Sequence, residues 1–148
     1  MRKKEVTRLK TLSEFTNEPF TNFQLEENRQ KMLDALATIK SELGNDYPLH
    51  VGKQKIVTSQ KIISANPADV DQVIGSVSKA TPEIIEQAFE VATKTFEQWK
   101  KVPAEKRASY LFQAADLMRK RKHEFSALIV LESGKNWTEA DADTAEAI

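Results

Sequence analysis

Val73-Ile74-Gly75-Ser76-Val77-Ser78, followed by Lys79-Ala80-Thr81-Pro82-Glu83-Ile84-Ile85, is where this chain changes character. The first run is short and rich in β-branched residues, so it reads as a strand. The second starts a helix: Thr81 caps, Pro82 takes the first helical position and Glu83 complements the dipole. Upstream, Leu49-His50-Val51, Ile56-Val57 and Ile62-Ile63 are further strand-like runs, with Gly52-Lys53 a tight reversal. Asn66-Pro67-Ala68-Asp69 is a turn, because Pro fixes φ and Asn and Asp bond nearby backbone. Leu49 to Ser78 is therefore expected to be a small β meander.

Downstream, Ile85, Ala88, Phe89, Ala92, Phe96 and Trp99 form one helical stripe. Pro103 opens a long helix with Leu111, Ala114, Ala115, Met118, Phe125, Leu128 and Ile129, ending at Gly134. A last helix begins near Asn136 and is still running at Ile148, which is expected to be a truncation within a helix. The competing reading is a short helix that ends there. Before the strands, Thr21 stands three residues ahead of Gln24 in capping-box spacing. Leu25, Met32, Leu36, Ile39 and Leu43 follow at helical intervals, with Gly44-Asn45 as the stop. The first helix is thus expected over Phe23 to Leu43. Residues 1–20 are polar and aperiodic and are expected to form a mobile arm. The fold class is α+β: an N-terminal helix, a small β meander and three helices.

Of the 148 residues 40% are apolar and 30% charged, a globular balance. Lys plus Arg equals Asp plus Glu at 22 each, so no nucleic-acid or membrane partner is expected. No apolar run approaches the roughly 20 residues that span a bilayer. Met1-Arg2-Lys3-Lys4 is basic but no apolar segment follows, so no secretory signal is read. An amphipathic presequence is opposed by Glu5, Glu14 and Glu18. Cytoplasm is the default compartment. The chain has no cysteine, which excludes disulfides, thiolate metal sites and a cysteine nucleophile within it.

Gly44, Gly52, Gly75 and Gly134 are isolated, so neither a dinucleotide fingerprint nor a phosphate loop can be built. His50 and His123 have no metal-ligand spacing to each other and read as structural or solvated. Arg119-Lys120-Arg121-Lys122-His123 covers barely more than a turn. It reads as a solvated helical turn in preference to a phosphate patch. Glu139, Asp143 and Glu146 fall at i, i+4 and i+7 and share one helix face. Spacing leaves two readings open: simple hydration, or a cation opposite them, such as an amine, a metal or an Arg from elsewhere.

Several strings, taken in order, resemble one family. They are Glu18-Pro19-Phe20, Asn66-Pro67-Ala68-Asp69 with Val73-Ile74-Gly75, Ser78 to Thr81, and Ala92 to Phe96 with Trp99. Arg107, Leu111 to Ala115, Arg119 to Phe125, Glu132 to Trp137 and Glu139 to Ile148 follow. From about Glu18 to Ile148 the chain resembles the N-terminal part of the aldehyde dehydrogenase superfamily. The Asn-Trp and Glu-Ala-Asp-Ala-Asp ending is similar to the bacterial 1-pyrroline-5-carboxylate (L-glutamate γ-semialdehyde) dehydrogenases.

The resemblance implies that residues 21–148 form the N-terminal part of an α/β cofactor-binding domain. It implies a parent enzyme that uses NAD to oxidise L-glutamate γ-semialdehyde to L-glutamate in proline or arginine breakdown. There a cysteine thiolate attacks the carbonyl, hydride leaves to NAD, and a glutamate activates water to release the acid. The nucleophile, the general base and the glycine motif of the family all lie later than position 148. Hence no catalytic, cofactor or metal residue is assigned here, and the segment alone is expected to be inactive and to bind no NAD. Its partner is the remainder of the dehydrogenase chain, and the parent is expected to be a homo-oligomer. Glu146 matches the family glutamate on the helix lining the substrate tunnel, where it faces the substrate's amino group. The apolar stripes either close on each other or stay partly bare for the missing sheet. A free-standing helical adaptor or an inactive regulatory paralogue is the alternative.

Overall fold

The computed structural model describes residues 15–148. Most of the expected arm, residues 1–14, lies outside the described residues. The elements are α1 (Glu26–Ser41), β1 (Asn45–Tyr47), β2 (Leu49–Val51), β3 (Gln54–Ile56), β4 (Lys61–Asn66) and β5 (Asp69–Ser78). Four helices follow: α2 (Pro82–Trp99), α3 (Ala104–Lys120), α4 (Lys122–Ser133) and α5 (Trp137–Ala147). The α+β class is as the sequence predicts. Among the described residues, no helix is long and apolar enough to cross a membrane.

The core lies where α1 and α4 close over β5. Met32, Ala35 and Ile39 of α1 meet Ile74 of β5 and Ala127 and Leu131 of α4. Phe23 and Trp137 stack edge-on at the rim, with ring centres 5.5 Å apart, a favoured aromatic geometry. Gln24 and Thr21 do not make the expected capping box. The helix starts at Glu26 with no side-chain cap; Asn22 organises the approach by accepting the Gln24 N–H at 3.0 Å. Thr21 is engaged elsewhere, as described below.

The strands form two sheets rather than one meander. β5 is the centre of a three-stranded sheet, antiparallel to β4 and parallel to β1. β2 and β3 form a separate hairpin. Thr58 separates the two: its hydroxyl bonds the Gln60 and Lys79 carbonyls, and its N–H reaches Ser78 Oγ. These bonds tie the loop after β3 to the end of β5. Polar Asn45-Asp46-Tyr47 carries no strand signal, yet it pairs with Gly75 to Val77. Gly75 allows the approach, since a Cβ there would stand 3.1 Å from the Asn45 carbonyl and from the Tyr47 ring.

The single helix expected from Pro103 to Gly134 is two helices. Arg121 leaves the helical region (φ −111°, ψ 22°), and its N–H is shared between the Leu117 and Met118 carbonyls. The break turns Lys122 inward, where it is buried against α5 and the chain before α1. The expected ends held at α2, where Thr81 Oγ1 accepts the Ile84 N–H, and at α4, where Gly134 is left-handed (φ 68°). The stripes of α2 and α3 do not close on each other. Neither helix has a buried residue, although Trp99 and Tyr110 stack at 5.9 Å.

Candidate functional site

The candidate site is built on α5. Asn136 starts this helix with a full capping box: its Oδ1 accepts the Glu139 N–H at 3.0 Å, and Glu139 Oε2 accepts the Asn136 N–H at 3.4 Å. Gly134 orients the joint before it. A Cβ at Gly134 would stand 3.0 Å from Pro67, so the α4–α5 corner rests on the turn between β4 and β5.

The carboxylates on one face of α5 have different partners. Glu139 serves the cap. Asp143 pairs with Lys135, so the cation opposite this face is a lysine of the chain itself. The bond to Asp143 raises the Lys135 pKa, and the nearby charges of Glu139 and Glu146 add to the effect. Glu146 is exposed and, among the described residues, has no hydrogen-bond or ion-pair partner.

Glu146 borders a groove of about 800 Å³ between α3, the end of α5 and the segment before α1. Phe15, Phe20 and Phe112 supply apolar wall, and Glu18 and Arg119 supply charge. Arg119 is already engaged: Nε donates to Glu18 at 2.7 Å and Nη1 to Asp116 at 2.9 Å. Glu18 raises the Arg119 pKa. Residues 15–20, expected within a mobile arm, are thus tied to the helices, by Glu18 to Arg119 and by Pro19 to Lys122.

The basic run disperses in space instead of forming a patch. Arg119 turns to Glu18, Arg121 to Glu124, and Lys122 to Asp141 and the Pro19 carbonyl. His123 sits in the α4 start with Nε2 buried and, among the described residues, unpartnered. Burial lowers its pKa, against the pull of the Asp141 charge. His50 is exposed on strand β2, beside the hollow between the hairpin and α2. The two histidines are not brought together.

Sequence reasoning missed the opposite face of α5. Asp141 and Thr144 are each 2% exposed, flanked by buried Ala140 and Ala145. Two polar residues interrupting an alanine face are a signal for a buried polar cluster, since such groups are rarely buried unpaired.

A model of the aldehyde dehydrogenase family matches residues 56–148. The chain belongs to the aldehyde dehydrogenase family. It is 54% identical over 134 residues to the 1-pyrroline-5-carboxylate dehydrogenase of Bacillus cytotoxicus, covering 90% of this chain and 26% of that protein. The same figures hold for 1-pyrroline-5-carboxylate dehydrogenase 2 of Bacillus subtilis. A 1-pyrroline-5-carboxylate dehydrogenase from Thermus, solved with bound NAD, matches with a TM-score of 0.89 and 44% identity. That match covers 92% of this chain and 26% of the Thermus chain. The chain spans about a quarter of the length of the relatives it matches. The part of the aldehyde dehydrogenase fold present here holds the groove that Glu146 borders, and among the described residues Glu146 has no partner there.

Proposed function

We propose that this chain is the N-terminal part of the cofactor-binding domain of an NAD-dependent dehydrogenase that oxidises L-glutamate γ-semialdehyde to L-glutamate. The identity of 54% over 134 residues to 1-pyrroline-5-carboxylate dehydrogenases supports this reading. Glu146 is the observation in the chain itself that carries it. Other carboxylates of α5 are occupied by a cap, a lysine or a buried network, and among the described residues Glu146 alone borders the groove unpaired. A carboxylate beside phenylalanine walls suits an ammonium on a short apolar chain, because charge-assisted bonds strengthen as water is excluded.

The residues present do not form a cradle for NAD. Among the described residues, the junction from β5 into α2 runs Lys79-Ala80-Thr81 without glycine, and Thr81 Oγ1 already takes the Ile84 N–H. A pyrophosphate needs free N–H groups and close backbone approach at such a junction. The chain has no cysteine to attack an aldehyde. Its contribution is on the substrate side: Glu146 holds the amine, and the aromatic walls exclude water around the carbon chain. By itself the segment is inactive. Its partner is the remainder of the dehydrogenase, which covers the apolar faces of α2 and α3.

In the intact dehydrogenase, Glu146→Gln is expected to raise KM for glutamate γ-semialdehyde about tenfold. An aldehyde of similar length without the amine should be unaffected. Equal loss with both substrates would remove Glu146 from amine recognition.

A further inference from the structure

The substrate reading leaves a buried polar group unused. Asp141 is 2% exposed and Lys122 is 7% exposed. Asp141 Oδ2 accepts the Thr21 backbone N–H at 2.7 Å, and Oδ1 accepts the Thr21 hydroxyl at 2.6 Å. Lys122 Nζ lies 3.2 Å from the same Oδ1 and donates to the Pro19 carbonyl at 2.7 Å. One carboxylate thus grips residue 21 twice directly, and residue 19 through a lysine.

Stability does not call for this arrangement. A buried ion pair gains little over apolar side chains of the same volume, because desolvation offsets the attraction. What it supplies is position. Pro19 and Thr21 flank Phe20, and Glu18 beside them holds Arg119 at 2.7 Å. Phe15, Glu18 and Phe20 are one wall of the groove that Glu146 borders. The wall is therefore hung from α5, the helix that carries Glu146.

We propose that Asp141, acting through Thr21 and Lys122, is a positioning residue that sets the separation between the 15–20 wall and Glu146. It thereby sets the fit of an amino-aldehyde in the groove. This rests on the substrate reading above. Asp141 touches no reacting atom, so its effect falls on binding and not on the chemical step.

The test uses the intact dehydrogenase with Thr21→Val, which removes the hydroxyl bond, and Thr21→Ser, which keeps it. These spare the fold where Asp141→Asn would risk it. Thr21→Val is expected to raise KM for the γ-semialdehyde about fivefold. Its kcat should stay within about twofold, and KM for an amine-free aldehyde should rise less, since that aldehyde meets the wall but not Glu146. Thr21→Ser should restore the KM. Thr21→Val added to Glu146→Gln should cost less than it does alone, since both act on one contact. Equal behaviour of Val and Ser, or equal loss with both aldehydes, would overturn the proposal. If Glu146→Gln leaves KM unchanged, the substrate reading fails, and hydrogen exchange judges the clamp separately. Faster exchange at residues 15–21 in the Val variant but not the Ser variant keeps the clamp; matching exchange in both removes it.

Discussion

His123 carries a cost that depends on pH. Its Nε2 is buried without a partner among the described residues, and burial lowers its pKa, although the Asp141 charge opposes this and Lys31 and Lys122 reinforce it. A depressed folded pKa means that the unfolded chain binds the proton more readily. The stability is present above the ordinary histidine range and is lost as pH falls through the folded pKa. Melting temperature is therefore expected to fall between about pH 8 and about pH 5. His123→Gln should flatten that dependence, measured by thermal melts across the range; an unchanged slope would point to another group. The sequence marks this histidine only as part of a charged run. Nothing in its spacing announces that Arg121 breaks the helix and that Nε2 ends up sealed.

The helix ends are the most legible elements. Thr81-Pro82, Gly134 and Asn136 all do what their residue types predict, because a cap involves groups three or four residues apart. Asn136→Ala is expected to lower stability by about 1 kcal/mol, the usual cost of a lost N-cap. Gly134→Ala should cost about 1–2 kcal/mol, since it combines a left-handed φ with contact on Pro67. Denaturant melts of the two variants would check both. If Gly134→Ala proved neutral, the corner would not rest on the β4–β5 turn. By contrast, the break at Arg121 is not legible. Apolar residues resume at Phe125, seven positions after Met118, so the spacing does not mark the break; at the break Lys122 is buried against Asp141. Glu139, Asp143 and Glu146 are legible as one face, but not as a cap, an ion pair and an unpaired acid.

Across the whole molecule, apolar surface is distributed unevenly. The α1–α4–β5 core is closed, whereas Phe89 is 66% exposed on α2 and Leu111 is 73% exposed on α3. Patches of this kind mark interaction surfaces or aggregation sites. The isolated chain is expected to bind a hydrophobic dye and to melt broadly, by fluorescence and calorimetry. A sharp melt without dye binding would favour the free-standing adaptor. The sequence by itself determined the α+β class, the helix ends at Thr81, Gly134 and Asn136, the β4–β5 turn, the apolar stripes and, through its ordered strings, the family resemblance. All of these rest on interactions within a few residues or on patterns written along the chain. The tertiary structure alone decided the parallel pairing of β1 with β5, the division into two sheets, the inward turn of Lys122 and the grip of Asp141 on Thr21. These contacts join residues as many as 120 positions apart. Their energy depends on which groups the packed core desolvates together, and local spacing does not encode that.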